Sequence, residues 1–357
     1  MRDWVESLEK FPDSFLAEIA GQAEAMRRAA DGLSGRAAAL ERIAAAAGAA
    51  GSIVFTGMGA SLAACQIPAT LLTVAGVDAW RVDAAELLHF RRATLRPGIV
   101  LVLVSQSGRS AELVALARSF RDDARPFLVS VTNGSDNALA VEADAALDIR
   151  AGEEQGPSTM TFAASVVVLS ALADVLANSG VRAAVDEVRL RAHRAAAAAG
   201  RLVAQDVGSL EAWLGERPVA ALLGRGSGLA AAEAGALLLQ EAARVPALSF
   251  GSGRFRHGPI ELAGPDLAAA VFATEESTRD IDLGLASDLV ELGTSVLVIG
   301  SAEVPSGAIA AEVPHVGGGL GAVLGVIPVQ LLAHRLSLRR GLTPGRLTIA
   351  TKVTSRE

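Results

Sequence analysis

Tyrosine is absent from this 357-residue chain, cysteine occurs once, and aromatic residues make up only 4%. The lone cysteine, Cys65, excludes an internal disulfide framework and suits a reducing compartment. With 51% apolar residues but few rings, packing falls to aliphatic side chains, alanine and 36 glycines. An excess of positive charge is missing too. A net charge of −7 and a pI of 5.4 argue against a nucleic-acid or membrane-surface partner. No GxxxxGK[ST] loop occurs. GMGAS (57–61) is not GxGxxG and lacks the downstream acidic residue of a dinucleotide site. The longest apolar run, near 162–177, is broken by Ser165, Ser170 and Asp174. It falls short of the ~20 clean residues a membrane span needs. The opening MRDWVESLEKF lacks the apolar core of a signal peptide. A cytoplasmic protein is expected, with no membrane partner and no metal or cofactor.

What is present alternates. Residues 14–48 carry apolar residues at helical spacing. SIVFTGMG (52–59) is a strand closing on glycines, and SLAACQIPATLLTVAG a helix. GIVLVLVSQSG is a strand, SAELVALARSF a helix, and RPFLVSVTN (125–133) and AALDIRA (145–151) two more strands. The strands are continuous apolar runs, as suits parallel strands covered on both faces. After an Ala-rich helical stretch (160–215), read as a connector, the pattern restarts. VAALLGRGSG (219–228), LAAAEAGALLLQEAARV, LAAAVFATEE, a helix through 278–292, SVLVIGS (295–301) and a last helix over 321–340 follow. GMGAS and GRGSG (224–228) form a weak internal repeat. The expected class is α/β, with parallel sheets sandwiched by helices.

In open parallel sheets, ligands bind beyond the carboxyl ends of strands. SQSGRS (105–110) stands at such an end, just before a helix whose free N–H groups suit an anion. Ser105, Ser107 and Ser110 add hydroxyls, and Gly108 allows close backbone approach. Ser61 in GMGAS and the polar loop TNGSDN (132–137) occupy comparable places. The three loops together suggest an anion pocket built without lysine. A serine ahead of a helix is, however, ordinarily an N-cap.

GxGxS, SQSGxS and the VTN loop with a downstream ST resemble the SIS (sugar isomerase) family, whose fold binds phosphosugars. The resemblance runs in order along most of the chain. SFLAEIAGQAEAMRRAA (14–30) is similar to the "KEI-x-x-Q-P" helix of the isomerase half of glutamine–fructose-6-phosphate amidotransferase. GEEQGPSTMTF (152–162) resembles its "GPE-x-x-VASTK" loop, LLLQEAARVPALSFGSGRFRHGPIEL its "LKLKE…E-x-x-HGP" segment, and KVTSRE its "AKSVTVE" tail. The resemblance implies two tandem flavodoxin-like SIS domains, at 49–180 and 216–340. A helical segment (1–48), a connector (181–215) and a closing tail (341–357) complete the division.

By the same resemblance, Ser61, Ser105, Gln106, Ser107, Arg109, Ser110 and Ser158 would bind substrate. Glu241 would move a proton between C1 and C2. His257 would assist ring opening from a neighbouring subunit, making a homodimer, and Lys352 would close over the sugar. The residue types suit aldose–ketose chemistry: a carboxylate removes and returns a proton, and an ammonium neutralises an oxyanion. Burial on the apolar helix LLLQE should raise the Glu241 pKa. Plainer roles exist: Glu241 could pair with Arg244 three residues on, His257 could be a loop hydrogen-bonder, and Lys352 could be solvated.

Departures limit the implied reaction. Leu238 stands where the family helix has a lysine linked to the ring-opened sugar. Met160 replaces the lysine of "STK", Arg109 replaces an acidic residue, and Ala60 replaces a threonine. The glutaminase half is missing and no cysteine follows Met1, so ammonia from glutamine is not expected. No SxS loop follows SVLVIGS, so one site per protomer is expected. The function implied is a phosphosugar isomerase, or a deaminase acting on an amino-sugar 6-phosphate. The alternative is a non-catalytic sugar-phosphate-binding regulatory protein.

Overall fold

The computed structural model describes residues 14–120, 125–205 and 207–354. MRDWVESLEKF and the last three residues of KVTSRE lie outside the described residues. The α-helices of five or more residues are numbered α1 to α11 in chain order. Helices α1 (Ser14–Gly32) and α2 (Ala37–Gly48) precede the first sheet. The first unit contains β1 (Ser52–Gly57), α3 (Gly59–Val74), β2 (Ala79–Asp83), β3 (Ile99–Ser105), α4 (Ala111–Arg118), β4 (Phe127–Thr132), α5 (Ala138–Glu142), β5 (Ala145–Asp148) and α6 (Met160–Asp174). Helices α7 (Val181–Val203) and α8 (Gly208–Leu214) follow. The second unit contains β6 (Val219–Gly224), α9 (Ser227–Ala243), β7 (Ala247–Gly251), β8 (Leu267–Phe272), α10 (Arg279–Glu291), β9 (Ser295–Ile299), β10 (Ile309–Ala311) and α11 (Leu320–Arg339).

Both sheets are parallel and repeat one order: β2-β1-β3-β4-β5 and β7-β6-β8-β9-β10. This is the flavodoxin-like arrangement twice over. Ile53 pairs with Ala79 and Val100, as Ala220 pairs with Ala247 and Ala268. The GMGAS and GRGSG turns therefore occupy equivalent places. The counterpart of β3 is β8, not β9. The loop to compare with SQSGRS is thus ATEEST (273–278), not the residues after SVLVIGS.

Successive strand residues face opposite ways. Ile53, Phe55, Val102 and Val104 share one core with Ala220, Leu222, Ala270 and Phe272, filled by α3, α6, α9 and α11. The alternate residues pack outward, Val54 and Leu101 in one cluster and Leu223 and Val271 in another. One core thus joins the two sheets. The helices read as a connector are part of it: α7 buries Ala184, Val188, Ala192, Ala195 and Ala199, and α6 is buried at all but one position. Gln22 of α1 and Gln330 of α11 exchange amide hydrogen bonds of 2.6 and 3.2 Å, 308 residues apart.

Two windows, 160–177 and 320–339, do reach the length and hydropathy of a membrane span, so the expectation of falling short needs correcting. Each is 89% buried inside the protein, which explains its composition as that of a core helix. Cys65 is fully buried, and burial pushes its thiol up out of the reactive range.

Candidate active site

A cavity of about 360 Å³ opens at the carboxyl ends of β1 and β3. Ser61, Ser105, Gln106, Ser107, Ser110, Ser158, Glu241 and Lys352 all line it. The floor is the turn between β3 and α4. Ser105 Oγ lies 2.9 Å from Ser110 Oγ and accepts from Gly108 N at 3.2 Å. Ser107 Oγ accepts from Arg109 N at 3.1 Å. Gly108 has φ +61°, and a Cβ there would lie 1.9 Å from Asn137 Oδ1. Only glycine fits. Ser110 occupies the N-cap of α4 but makes no side-chain cap bond. Its hydroxyl turns instead toward Ser105, so the ordinary capping role does not account for it.

The opposite contributions come from distant segments. Helix α9 starts on the second sheet, packs against α3 of the first, and brings Leu237 and Glu241 to the cavity. Arg81 of β2 and Glu233 of α9 hold this crossing, with one bond of 3.0 Å. Burial raises the Glu241 pKa, and the Glu154 charge adds to it, while Lys352 opposes both. Arg244, the sequence candidate for pairing Glu241, takes a left-handed conformation at the end of α9 and donates to Thr348 Oγ1 at 2.8 Å. Leu238 is 3% exposed and belongs to the core.

The tail 347–354 closes another wall. Thr354 O accepts from Ala111 N at 3.2 Å, joining the tail to the start of α4. Lys352 Nζ donates to Glu154 Oε2 at 2.8 Å and to Gly156 O at 2.6 Å. Glu154 also accepts from Thr159 N at 2.8 Å and Thr161 Oγ1 at 2.5 Å. Glu18 of α1 grips the same loop through Gln155 N at 2.6 Å and Gly156 N at 3.1 Å. Desolvation raises its pKa against those hydrogen bonds. Sequence reading did not single out Glu154, Glu18, Thr161 or Glu112, all of which line or support the cavity.

Two expected residues stand apart. Arg109 is exposed and outside the lining, and His257 lies on an exposed turn after β7. The TNGSDN loop supports rather than lines the cavity. Asn137 caps α5 and backs Gly108, and Asn133 borders a neighbouring depression. Among the described residues no cluster of metal-ligating side chains occurs. In the second unit, ATEEST puts Glu275 where the first has Ser107. Its Oε1 accepts from Ser227 N at 3.1 Å, so a carboxylate of the chain itself fills the start of α9.

Residues 49–175 match the family model described as the SIS domain. The chain carries a SIS domain over those residues. It is 30% identical to glutamine–fructose-6-phosphate aminotransferase (isomerizing) of Aeropyrum pernix, over 96% of this chain and 58% of that protein. The chain thus spans little more than half of that relative. The C-terminal domain of glucosamine-fructose-6-phosphate aminotransferase from Francisella tularensis superposes with a TM-score of 0.81 at 21% identity, covering 94% of this chain and 98% of that one. Tagatose-6-phosphate ketose/aldose isomerase from Escherichia coli gives 0.77 at 22% identity, over 93% and 95%. Both SIS-type sheets of this chain are therefore a known tandem architecture.

Proposed function

We propose that this SIS protein is a phosphosugar isomerase, or an isomerising deaminase, acting on a hexose or amino-sugar 6-phosphate in a cytoplasmic setting. The observation that carries this reading is one cavity holding a hydroxyl-rich helix start, the half-buried carboxyl of Glu241 and the ammonium of Lys352. The phosphate would take the hydroxyls of Ser105, Ser107 and Ser110, with Ser61, Gln106 and Ser158 around it. Glu241 would remove a proton from C1 of an open-chain ketose and return it to C2. The negative charge developing on the carbonyl oxygen would be met by Lys352 after it exchanges Glu154 for substrate. With an amine at C2, the proton moves from C2 to C1 and leaves a ketimine. Water then releases ammonia and the ketose.

His257 belongs to this reading only as a residue given to a neighbouring copy, in a homodimer. Arg109, exposed and outside the lining, would have to turn inward to add a cation for the anionic substrate. The apolar residues at 238 and 160, where the family carries lysines, favour a second reading, a sugar-phosphate-binding regulatory protein. Incubation with fructose 6-phosphate, glucosamine 6-phosphate and galactosamine 6-phosphate, with product analysis and ammonia assay, separates these. Interconversion without ammonia is the isomerase result, and ammonia is the deaminase result. Binding without conversion of any of them would overturn the enzyme reading.

A further inference from the structure

Glu112, the second residue of α4, lines the same cavity. It is 7% exposed, and its Oε2 has no hydrogen-bond partner among the described residues. A buried carboxylate oxygen left without a donor lowers stability. The surrounding loop does not lack donors in general: the Ser105 and Ser110 hydroxyls a few residues away are bonded to each other. Glu112 lines the cavity beside Ser110, at the end where the phosphate would sit, and its unpartnered Oε2 is itself buried in the wall.

A carboxylate can only accept, and it repels a phosphate. The ligand must therefore present a donor close to its phosphorylated carbon. We propose that Glu112 is a specificity residue that accepts from the C5 hydroxyl of an open-chain hexose 6-phosphate. In the pyranose form of an aldose and the furanose form of a ketose, that oxygen is the ring ether and carries no proton. Glu112 thereby favours the ring-opened form, the one in which C1–C2 proton transfer is possible. This inference rests on the phosphosugar reading above.

The test is calorimetric binding of sorbitol 6-phosphate, which keeps a C5 hydroxyl, and 1,5-anhydroglucitol 6-phosphate, which is locked as a ring. The wild type should prefer sorbitol 6-phosphate by about tenfold or more, and Glu112→Ala should reduce the preference to about twofold or less. Glu112→Gln, measured without ligand, should unfold at a temperature no lower than wild type, because it removes an unpartnered charge. An unchanged preference in Glu112→Ala would overturn the inference while leaving the phosphosugar reading intact. So would equal weakening of both ligands together with a lowered unfolding temperature, the signature of a structural anchor. If neither compound binds the wild type, the phosphosugar reading fails and takes this inference with it.

Discussion

Lys352 Nζ and Glu154 Oε2 lie 2.8 Å apart although 198 residues separate them in the chain. Lys352 is one of only two lysines in the sequence, with Lys10. The Glu154 side chain is wholly buried, while that of Lys352 is 26% exposed. The pair holds the tail over the cavity. Glu154→Ala removes the acceptor for Lys352, Thr159 and Thr161 together, and should cost about 3 kcal/mol in urea unfolding, at the lower end for broken buried pairs. Lys352→Ala keeps the threonine bonds and should cost less, yet lower kcat by about 100-fold, as expected for a lost oxyanion partner. Equal stability losses in the two variants would contradict this division of roles.

Burial holds the Glu241 carboxyl above its ordinary value of 4.5. A carboxyl whose folded pKa is raised contributes stability that is complete below its unfolded pKa. That stability is lost as pH rises through the folded pKa. Glu241→Gln, neutral at every pH, should therefore melt higher than wild type at pH 8 and together with it at pH 4. Scanning calorimetry at the two pH values checks this. A gain at pH 4 equal to that at pH 8 would remove the ionisation argument.

Gly108→Ala should disable the anion floor. Its φ of +61° and the 1.9 Å approach to Asn137 leave no room for a Cβ. A loss of about 1–3 kcal/mol is expected for a residue forced into this conformation. Binding of inorganic phosphate should weaken in parallel. A variant with wild-type stability and phosphate affinity would show that the turn is not the floor of the site.

His257 offers a test of assembly. If it completes a neighbour's site, mixing the inactive variants Glu241→Gln and His257→Asn should restore activity. One site of each mixed dimer is intact, giving about a quarter of wild-type turnover for random pairing in a two-fold dimer. No recovery from demonstrably exchanged subunits would place His257 outside any neighbour's site.

The sequence marked the sheet interiors better than their rims. β1, β3, β4, β6, β8 and β9 are buried on both faces and read as apolar runs. The strands it missed, β2, β7 and β10, are all edges. Trp80 and Leu248 stand 60% and 40% exposed there, and the runs are short and mixed. In the site, the serine loop was legible because a polar cluster follows a buried strand. Glu241 and Lys352 needed the family resemblance, since nothing in their spacing joins residues 111 positions apart. GEEQGPSTMTF has no period, so it did not reveal that Glu154 points inward while Glu153 is exposed. Glu112 gives no signal in the sequence beyond that of a first-turn acid, which answers the helix dipole in any helix.

Glu241 is expected to carry the proton between C1 and C2. Proton NMR of fructose 6-phosphate and glucosamine 6-phosphate in deuterium oxide tests it directly. Wild type should wash deuterium into C1 or C2 of at least one of them, and Glu241→Gln should bind that compound without exchange. Exchange that persists in Glu241→Gln, or its absence from wild type with both compounds bound, would contradict the account.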